Sequence, residues 1–502
     1  MAVGGIACTW LVPDDYNLGQ VLNVSLQFFE AQRSGKLPRI SNTPWRGNSA
    51  VWDSVLLPNG RNYSLLGGWH DDGGMLKLTY PTAFTVSLLS WAYWEFKGGY
   101  ASSDSLEFGA NTIRWGADYL NTVAVTNITS ASGGVGDIAR DRAYWGAPER
   151  ATIPRPASFL SQARPGSDAM AMAAAGLASA AVAIQGDSLQ VAQKYLQKAQ
   201  LLYTYAQRWR GLYAKFIDSG KLYPSVSMYD DLAYAAVWLY IGTGQQKYLS
   251  EAVAFYSRSV ASEGHVSANP YQWNYENVVP ALDLLLAQVT GEATYKANVE
   301  AFVNKWMNSQ RDADSGDVFY TKKGLAKASP DGTLQHTANA AFYTLLAAKT
   351  VLKGNYMMYA CWARNQIGYM LGDAGRSYVT GYGAVQPRKT PHKGASCPPA
   401  DVTDCTWETA YYTTDPNFHT LRGGLVGGPD DDDAWVDDRD MNNPANAVSL
   451  LNSAGFSAAV AGLVANDVNM AKCQQGNGFI QTVLLKAKGL PDAAGARWWE
   501  GV

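Results

Sequence analysis

The stretch that decides the fold is residues 169–184, AMAMAAAGLASAAVAI, a run of sixteen apolar or small residues between Asp168 and Gln185. A helix needs about 20 apolar residues to cross a bilayer, so the run predicts no membrane span. Ala, Met and Gly have small or adaptable side chains, and a helix that is apolar on every side is a buried one. The run therefore predicts a core helix that packs closely against its neighbours.

Helical periodicity continues on both sides of this run. Apolar residues recur at i, i+3, i+4 and i+7, the helical pattern, in twelve segments of the chain. The segments lie near residues 17–33, 81–96, 105–121, 168–184, 189–209, 230–243, 247–258, 277–290, 295–309, 337–352, 356–371 and 452–464. Strand patterns are few and short, and short turns join most of the segments. The pattern predicts an all-α protein in which helical pairs stack around a ring.

Four long segments without a helical pattern interrupt the series: 34–80, 122–167, 310–336 and 372–451. Long connections of this kind are usually functional or disordered, and these hold too many aromatic residues for disorder. We expect them to emerge at one end of the ring and to form a cleft there. Because no Pro/Ser-rich linker is present, residues 1–502 are predicted to be one domain, with a core over about 14–465 and a short C-terminal tail over 466–502.

The composition and net charge of the chain indicate which classes of partner it can bind. Hydrophobic residues make up 47 % of the chain and charged residues 17 %, which is typical of a globular protein with a large core. Forty basic against forty-three acidic residues leave a net charge of −3, so the electrostatic attraction that nucleic-acid binding needs is missing. We therefore expect no nucleic-acid partner.

Other features bear on the compartment. Glycosylation sequons begin at Asn23, Asn62 and Asn127, and such sequons have a meaning only in secreted proteins. Residues 1–13 show no basic segment and too short an apolar stretch for a signal peptide. A signal peptide that precedes the numbered chain would reconcile these observations. The prediction is an extracellular protein, either secreted or associated with the cell surface or cell wall.

Familiar catalytic motifs are missing from the sequence, and two acidic loops remain. We find no phosphate-binding loop, no GxSxG turn and no Cys-x-x-Cys pair, and the five histidines lack metal-ligand spacing. The loops are GGWHDDGG at 67–74 and the stretch 430–440, which has seven aspartates around Arg439. Each loop is also compatible with a solvated acidic surface.

Short motifs in a fixed order give these loops a context. They are PWRG at 44–47, GGWHD at 67–71, AYWGAPE at 143–149, RPGSD at 164–168, YMLGD at 369–373, SYV at 377–379, GAS at 394–396, LVGGPD at 425–430 and NSAGFSAAVAGL at 452–463. In sequence and order they resemble glycoside hydrolase family 9, the inverting endo-β-1,4-glucanases. The resemblance implies an (α/α)6 barrel with long cleft-forming loops, in agreement with the twelve helical segments.

The resemblance also implies two catalytic carboxyl groups, about 6.5–9.5 Å apart with a water between them. Asp71 matches the first Asp of the family's base loop, but the position of the base itself is Gly74. The position of the catalytic acid is Ala447, and no Glu occurs between Glu408 and Glu500. Asp72 as a replacement base and Asp440 as a replacement acid are the fallback candidates.

The positions expected to bind substrate are altered as well. Arg142 replaces a His, Asp331 and His336 replace an aromatic residue and a Tyr, and Asn452 replaces a Tyr of the last helix. The family's His-His-Arg becomes Pro391-His392-Lys393, and Lys does not reproduce the planar fork of Arg. The substrate-binding candidates are Trp69, Arg142, Trp145, His336, His392 and Lys393. The tryptophans are predicted either to stack on sugar rings or to anchor their loops by burial.

Two further sites are predicted with open alternatives. Asp230 and Asp231 match the carboxylates of the family's calcium loop, and hard oxygen ligands suit Ca²⁺, but Asn274 stands where a third carboxylate is expected. The alternative is a solvated helix N-terminus, so calcium is a possible structural ion and no cofactor is required. Cys397 and Cys405 lie eight residues apart in a loop and are predicted to pair, whereas Cys8, Cys361 and Cys473 leave an odd thiol.

Three functional hypotheses follow. The first is a secreted, catalytically inactive family relative with a structural or glycan-associated extracellular role, whose partners are polysaccharide, other extracellular proteins or further copies of itself. The second is an active inverting endo-β-1,4-glucanase with relocated carboxylates. The third is an intracellular scaffold protein.

Overall fold

The computed structural model describes residues 16–57, 60–126, 130–263, 270–309, 318–329, 332–399 and 401–475, and within these ranges it has twelve helices of at least twelve residues. They are α1 (Leu18–Ala31), α2 (Thr79–Glu95), α3 (Leu106–Val123), α4 (Ser167–Ile184), α5 (Leu189–Arg208), α6 (Tyr229–Thr243), α7 (Gln246–Arg258), α8 (Val279–Thr290), α9 (Ala293–Asn308), α10 (Thr333–Thr350), α11 (Tyr356–Gly368) and α12 (Leu450–Ala465). Each predicted helical segment is confirmed. The start of α10 differs most from its prediction, because the helix begins at Thr333, directly after Gly332 in a left-handed conformation (φ +58°).

The even-numbered helices form a closed inner ring. Each packs on the next in chain order, and α12 packs back on α2. The odd-numbered helices lie outside and contact their neighbours along the chain. The amphipathic α3 and α5 bury one face each, whereas α2, α4 and α10 are buried almost all round. This arrangement confirms the predicted (α/α)6 barrel.

Helix α4 carries the stretch that predicted the core. By length and composition it is apolar enough to cross a membrane, but 94 % of its 18 residues are buried inside the barrel. A Cβ added at Gly176 would lie 2.8 Å from the carbonyl oxygen of Ala83 in α2 and 3.1 Å from Cδ1 of Leu120 in α3. The glycine therefore permits the close approach of two inner helices.

Gly176→Ala is expected to lower the free energy of unfolding by about 1–3 kcal/mol, because overpacking a close helix contact costs more than Ala gains as a helix former. Urea titration measures the change. Gly186→Ala is the matched control, since a Cβ at Gly186 meets nothing within 4 Å, and we expect no loss there. An equal loss in both variants would contradict the packing argument.

Short strands in three of the four loop segments refine the all-α prediction. They are β1 (Ser54–Leu56), β2 (Asn62–Ser64), β3 (Lys77–Leu78), β4 (Ala124–Thr126), β5 (Ser130–Val135), β6 (Ala157–Ser161), β7 (Phe319–Tyr320) and β8 (Ala326–Lys327). Strand β5 is antiparallel to β6 along one edge and to β3 and β4 along the other. This sheet joins the loop before α2 to the loop before α4.

Two disulfides link loops and helices. Cys397–Cys405 is confirmed, with a Cα–Cα distance of 5.2 Å, and Cys361–Cys473 joins α11 to the short helix Met470–Gln475. Cys473 and Val468 are buried in the hydrophobic core. The core therefore extends beyond residue 465, and that predicted boundary was too early. Cys8 lies outside the described residues.

The sequons differ in their surroundings. Asn62 is exposed in β2, so its side chain is open to modification. Asn23 lies within α1, where its Nδ2 donates to Oγ of Ser105 and its Oδ1 accepts from Gln27. This amide is engaged and half-buried, so Asn23 is less accessible than Asn62, and its glycosylation stays a prediction. Asn127 lies outside the described residues.

Candidate functional site

The long loops collect at one end of the barrel. The segments before α2, α4, α6, α8, α10 and α12 all lead into the N-terminal ends of inner helices. The opposite end has the shorter connections, such as Gly244-Gln245 between α6 and α7. A site assembled from several loops must therefore lie at the N-terminal end of the inner ring.

The loop 67–74 is a compact turn held against its neighbours. Gly68 has φ +76°, and a Cβ there would lie 2.7 Å from the ring of Tyr119. Gly73 has φ +71°, and a Cβ there would lie 2.6 Å from the carbonyl oxygen of Pro391. Both positions thus require glycine, which permits positive φ without steric cost. The turn is closed by hydrogen bonds from Gly74 N to Asp71 O and from Asp71 N to Leu76 O.

Asp71 and Asp72 share one hydroxyl group. Tyr223 donates to Oδ2 of Asp71 at 2.7 Å and approaches Oδ2 of Asp72 at 3.2 Å. Asp71 is buried, and its Oδ1 has no hydrogen-bond partner among the described residues, whereas Asp72 is exposed with φ +50°. Burial and the nearby charge of Asp72 raise the pKa of Asp71 well above its ordinary value. Desolvation also raises the pKa of Asp72.

These shifts predict how stability depends on pH. The pKa values of Asp71 and Asp72 are higher in the folded protein than in the unfolded chain, so the folded protein binds more protons. This pair therefore makes the folded protein less stable as the pH rises above about 4. Asp71→Asn is expected to remove the effect, so the variant gains stability relative to the parent over that range. Urea midpoints measured across the range test this, with Asp440→Asn, at an exposed position, as the control. A pH-independent difference would refute the explanation.

The position of the base is filled by another residue's carboxylate. A Cβ added at Gly74 would lie 2.7 Å from Oδ2 of Asp141. Asp141 accepts a hydrogen bond on Oδ1 from Met75 N at 2.9 Å, and its Oδ2 pairs with Nζ of Lys393 at 2.9 Å. Both oxygens are thus engaged. A carboxylate lies where the resemblance expects one, but it comes from residue 141 and is held by an ion pair.

Lys393 and His392 are held inside the protein by hydrogen bonds, and their contact with substrate stays a prediction. Both are 2 % exposed. Lys393 also donates to the carbonyl oxygen of Asp141 at 2.6 Å. His392 Nδ1 accepts from Ala395 N, so its Nε2 carries the proton and donates to Gln32 at 2.8 Å. Burial and then the charge of Arg46 lower the pKa of His392 to about 3, which keeps the ring neutral.

The position expected for the catalytic acid is Ala447, whose side chain is a methyl group and cannot donate a proton. Ala447 lies three residues before the start of α12 at Leu450, and its carbonyl oxygen accepts from Nδ2 of Asn452 at 3.0 Å. The fallback acid, Asp440, is exposed, and its Oδ1 accepts from Asn442 N at 2.9 Å. Asp440 thus stabilises a turn, as Asp438 does by accepting from Asn446. Its role as an acid stays a prediction.

Much of the acidic loop 430–440 is tied to the protein around it. Asp431 pairs with the buried Lys327, and Asp433 accepts from Tyr369. Arg439 donates to the carbonyl oxygens of residues 411, 413 and 415. The loop is therefore a structural element and more than a solvated surface.

Two tryptophans predicted to bind sugar are anchors. Trp69 is 0 % exposed and packs on Phe29 at 5.8 Å between ring centroids. Trp145 is 4 % exposed, donates from Nε1 to Ser396 and packs on Tyr411. Because a sugar ring cannot reach a buried indole, the stacking alternative is wrong for both residues, and loop anchoring describes them.

Arg142 and His336 keep their status as predicted contacts. Arg142 is exposed. His336 lies in the first turn of α10 and is 7 % exposed, and its Nδ1 has no partner among the described residues. Burial lowers the pKa of His336 to about 4, so the ring is neutral. Asp331 lies outside the described residues.

The predicted calcium carboxylates are used inside the protein. Asp230 accepts from Ser227 at 2.7 Å and from Val278 N at 3.3 Å, and Asp231 accepts from the hydroxyl of Tyr80. Asn274 accepts with Oδ1 from the backbone of residues 276 and 277. The described residues contain no group of three His, Cys, Asp or Glu side chains that could hold a metal. This donor set fits a hydrogen-bond network at the start of α6 better than it fits calcium.

Two residues that matter at the site were missed by sequence reasoning. Asp141 directly precedes Arg142 and the AYWGAPE motif, and a carboxylate next to a matched motif was a usable signal. Tyr223 lies in the connection before α6, and the sequence has no signal that brings it to the loop 67–74. Only the fold places it within hydrogen-bond distance of Asp71.

Comparisons with known proteins agree with this architecture. Residues 18–460 match the model of Glycosyl hydrolase family 9. Endoglucanase B of Cellulomonas fimi is 34 % identical over 89 % of this chain, which spans 42 % of that relative's length. The endoglucanase of the termite Nasutitermes takasagoensis superposes with a TM-score of 0.83 at 37 % identity, over 90 % of this chain and all of that one. Endoglucanase CelQ of Clostridium thermocellum, solved with cellotriose, gives a TM-score of 0.75 at 26 % identity over 90 % of this chain and 71 % of its own. The chain therefore belongs to glycoside hydrolase family 9.

Proposed function

We propose that this chain is a non-hydrolytic member of its family, with a structural or glycan-associated role outside the cell. The observation that carries the proposal is the state of the base position, where Lys393 and Met75 hold the carboxylate of Asp141 in the space beside Gly74. Inversion needs a carboxylate free to take a proton from water and an acid across the bond. Each such group contributes about 10²–10⁴-fold to the rate, and the acid position is Ala447.

An active endo-β-1,4-glucanase with relocated carboxylates is the second candidate. The relatives are named endoglucanases, which favours hydrolysis. Asp72 is an exposed residue, but its carboxyl is partly buried beside Tyr223, and this desolvation raises its pKa to about 6. A base with such a pKa matches the range that general catalysis uses. In this candidate Asp71 or Asp72 activates the water, and Asp440 protonates the leaving oxygen.

If the chain is non-hydrolytic, we expect its cleft to bind polysaccharide with low affinity. CelQ was solved with cellotriose, but here Trp69, Trp145, His392 and Lys393 are buried. Each lost contact costs about 1–3 kcal/mol when polar partners are left unmatched, and micromolar affinity corresponds to only about 8 kcal/mol. We therefore expect cello-oligosaccharides to bind in the cleft no more tightly than millimolar, with the role carried by the outer surface through self-association or other extracellular proteins.

The two disulfides support a location outside the reducing cytosol, because disulfides persist in oxidising compartments. The exposed Asn62 is the described sequon suited to a glycan. The intracellular scaffold hypothesis expects free thiols at Cys361, Cys397, Cys405 and Cys473 and a bare Asn62. Peptide mapping of the native protein without reduction separates the two locations.

The deciding experiment measures reducing ends released from soluble β-1,4- and mixed-linkage glucans, together with calorimetry of cellohexaose binding. We expect no release and no affinity tighter than millimolar. Turnover in the enzymatic range of about 1–10³ per second would reject the first candidate. If that turnover is lost in Asp72→Asn and Asp440→Asn, the relocated carboxylates carry it.

A further inference from the structure

A cavity lies at the end of the barrel away from the long loops. It has a volume of about 580 Å³ and is lined by Trp94, Tyr240, Gln288 and Lys349, among others. These residues belong to the last turns of α2, α6, α8 and α10, whereas the base and acid positions precede the first turns of α2 and α12. The volume falls within the range of about 300–1,000 Å³ that is typical of ligand pockets.

One wall of the cavity is aromatic. Trp94 is 37 % exposed, although most of the large aromatic side chains in the core are fully buried. Its indole is held in place by an edge contact with the buried Trp238, with 5.9 Å between ring centroids. Tyr240, Ile241 and Val289 extend the apolar lining. A fixed, accessible indole with apolar neighbours suits the flat C–H face of a pyranose ring, because an aromatic face contributes apolar contact area in a specific geometry.

The rest of the lining donates and accepts hydrogen bonds. Glu95 and Lys349 form an ion pair at 2.9 Å, so their charges cancel locally while both keep hydrogen-bonding capacity for hydroxyl groups. The amide Nε2 of Gln288 is buried and has no hydrogen-bond partner among the described residues. A rotation of the Gln288 side chain toward the cavity would bring this donor to a ligand oxygen, and the new hydrogen bond would recover the free energy that an unpaired buried donor costs. Lys353 stands exposed at the rim.

We infer that this cavity is a binding site for a short neutral oligosaccharide of one or two pyranose rings, separate from the cleft. The aromatic wall takes the apolar face of a ring, and Gln288, Glu95 and Lys349 meet its hydroxyl groups. A neutral ligand fits because the ion pair of Glu95 and Lys349 leaves no net charge inside the cavity, and the charge of Lys353 lies at the exposed rim, where solvent and salt screen it. The site would hold the protein on a glycan without any chemistry in the cleft.

The test labels the whole chain with 5-fluorotryptophan and follows its ¹⁹F resonances during titration with cellobiose. Trp94→Phe assigns the resonance of Trp94, and Trp52→Phe assigns the resonance of Trp52, an indole 65 % exposed near the loop end. We expect a saturable shift of the Trp94 resonance and none for Trp52. Gln288→Leu keeps the indole and is expected to weaken the affinity about tenfold or more, since a buried hydrogen bond is lost.

The inference is overturned if cellobiose leaves the Trp94 resonance unmoved up to its solubility limit. It is also overturned if glucuronate shifts this resonance and cellobiose does not, because the site would then select an anion. An unchanged affinity in Gln288→Leu, with thermal unfolding like that of the parent, would contradict the role of the amide. Because the readout is local to Trp94, the result is independent of binding or hydrolysis in the cleft.

Discussion

The triple variant Gly74→Asp/Ala447→Glu/Asp141→Ala is expected to hydrolyse β-1,4-glucan, whereas the double variant Gly74→Asp/Ala447→Glu is expected to stay inactive. In the double variant, the new side chain at position 74 would start 2.7 Å from Oδ2 of Asp141. Lys393 and the backbone N–H of Met75 hold the carboxylate of Asp141 in place. Two carboxylates forced into one space repel, and one of them takes up a proton or moves.

Removing Asp141 clears the space and frees Lys393 to pair with one oxygen of the new carboxylate at position 74. The other oxygen then stays free to take a proton from water, whereas both oxygens of Asp141 are engaged. Each restored acid or base group is worth about 10²–10⁴-fold in rate, so the triple variant should exceed the parent by several orders of magnitude. Reducing-end release from a soluble β-1,4-glucan measures the gain. The stereochemistry of the product, followed by proton NMR, should show inversion.

Folding provides a readout that does not depend on activity. Asp141→Ala alone leaves Lys393 buried without its partner, which is costly, and Gly74→Asp/Asp141→Ala restores the pair. We therefore expect Gly74→Asp/Asp141→Ala to be more stable than Asp141→Ala alone.

If Gly74→Asp/Ala447→Glu hydrolyses glucan as fast as the triple variant, Asp141 does not obstruct the base position. A folded but inactive triple variant would show that the loss of function extends beyond the two carboxyl positions.

The helices were predictable because each carries a local signal: outer helices such as α3 and α5 have apolar residues on one face, and the inner helix α4 is a continuous apolar stretch. Even the start of α10 at Thr333 departs from the prediction for a local reason, the left-handed Gly332 that precedes it. Burial at the loop end was less predictable. Trp69 looked like a sugar platform because loops usually lie on the surface, yet this loop is packed between α1 and α3, where Trp69 meets Phe29 and would meet any side chain at Gly116.

The candidate site was predictable from the sequence only for positions that lie within a single motif. Gly74 and Ala447 follow from the register of single loops. The contact between Asp141 and Gly74 joins residues 67 positions apart, and the contact between Tyr223 and Asp71 spans 152 positions. Neither is implied by spacing or composition. The sequence therefore does not indicate that Asp141 occupies the space beside Gly74. Only the fold shows this, because it brings together the loops before α2, α4 and α6.

The same loops depend on a buried ion cluster, which gives the largest expected effect on stability. Asp53 pairs with Lys77 at 2.9 Å and with Arg155 at 2.8 Å, and its side chain is 0 % exposed. Lys77 also donates to the carbonyl oxygens of Leu65 and Gly67, and Arg155 donates to that of Met75. The cluster thus holds both ends of the loop that carries Asp71.

Asp53→Asn is expected to lower the free energy of unfolding by about 3–5 kcal/mol, because it leaves two buried cations without their anion. Burial already lowers the pKa of Lys77 to about 8, and Asp53 opposes that shift. Without Asp53 the pKa falls further, so Lys77 of the variant loses its proton at a lower pH. The folded variant then binds fewer protons than the unfolded chain, and its stability rises with pH. The deficit relative to the parent should therefore shrink as pH approaches about 8.

Urea titrations at several pH values measure both the deficit and its trend. Asp218→Asn is the control, since it breaks an exposed pair with Lys221, and exposed pairs contribute little. We expect no shift of its unfolding midpoint. A deficit in Asp53→Asn that stays constant with pH would mean that Lys77 keeps its proton through other partners, such as the carbonyl oxygens of Leu65 and Gly67. In that case those carbonyl groups, and not the carboxylate, hold the loop that carries Asp71 in place.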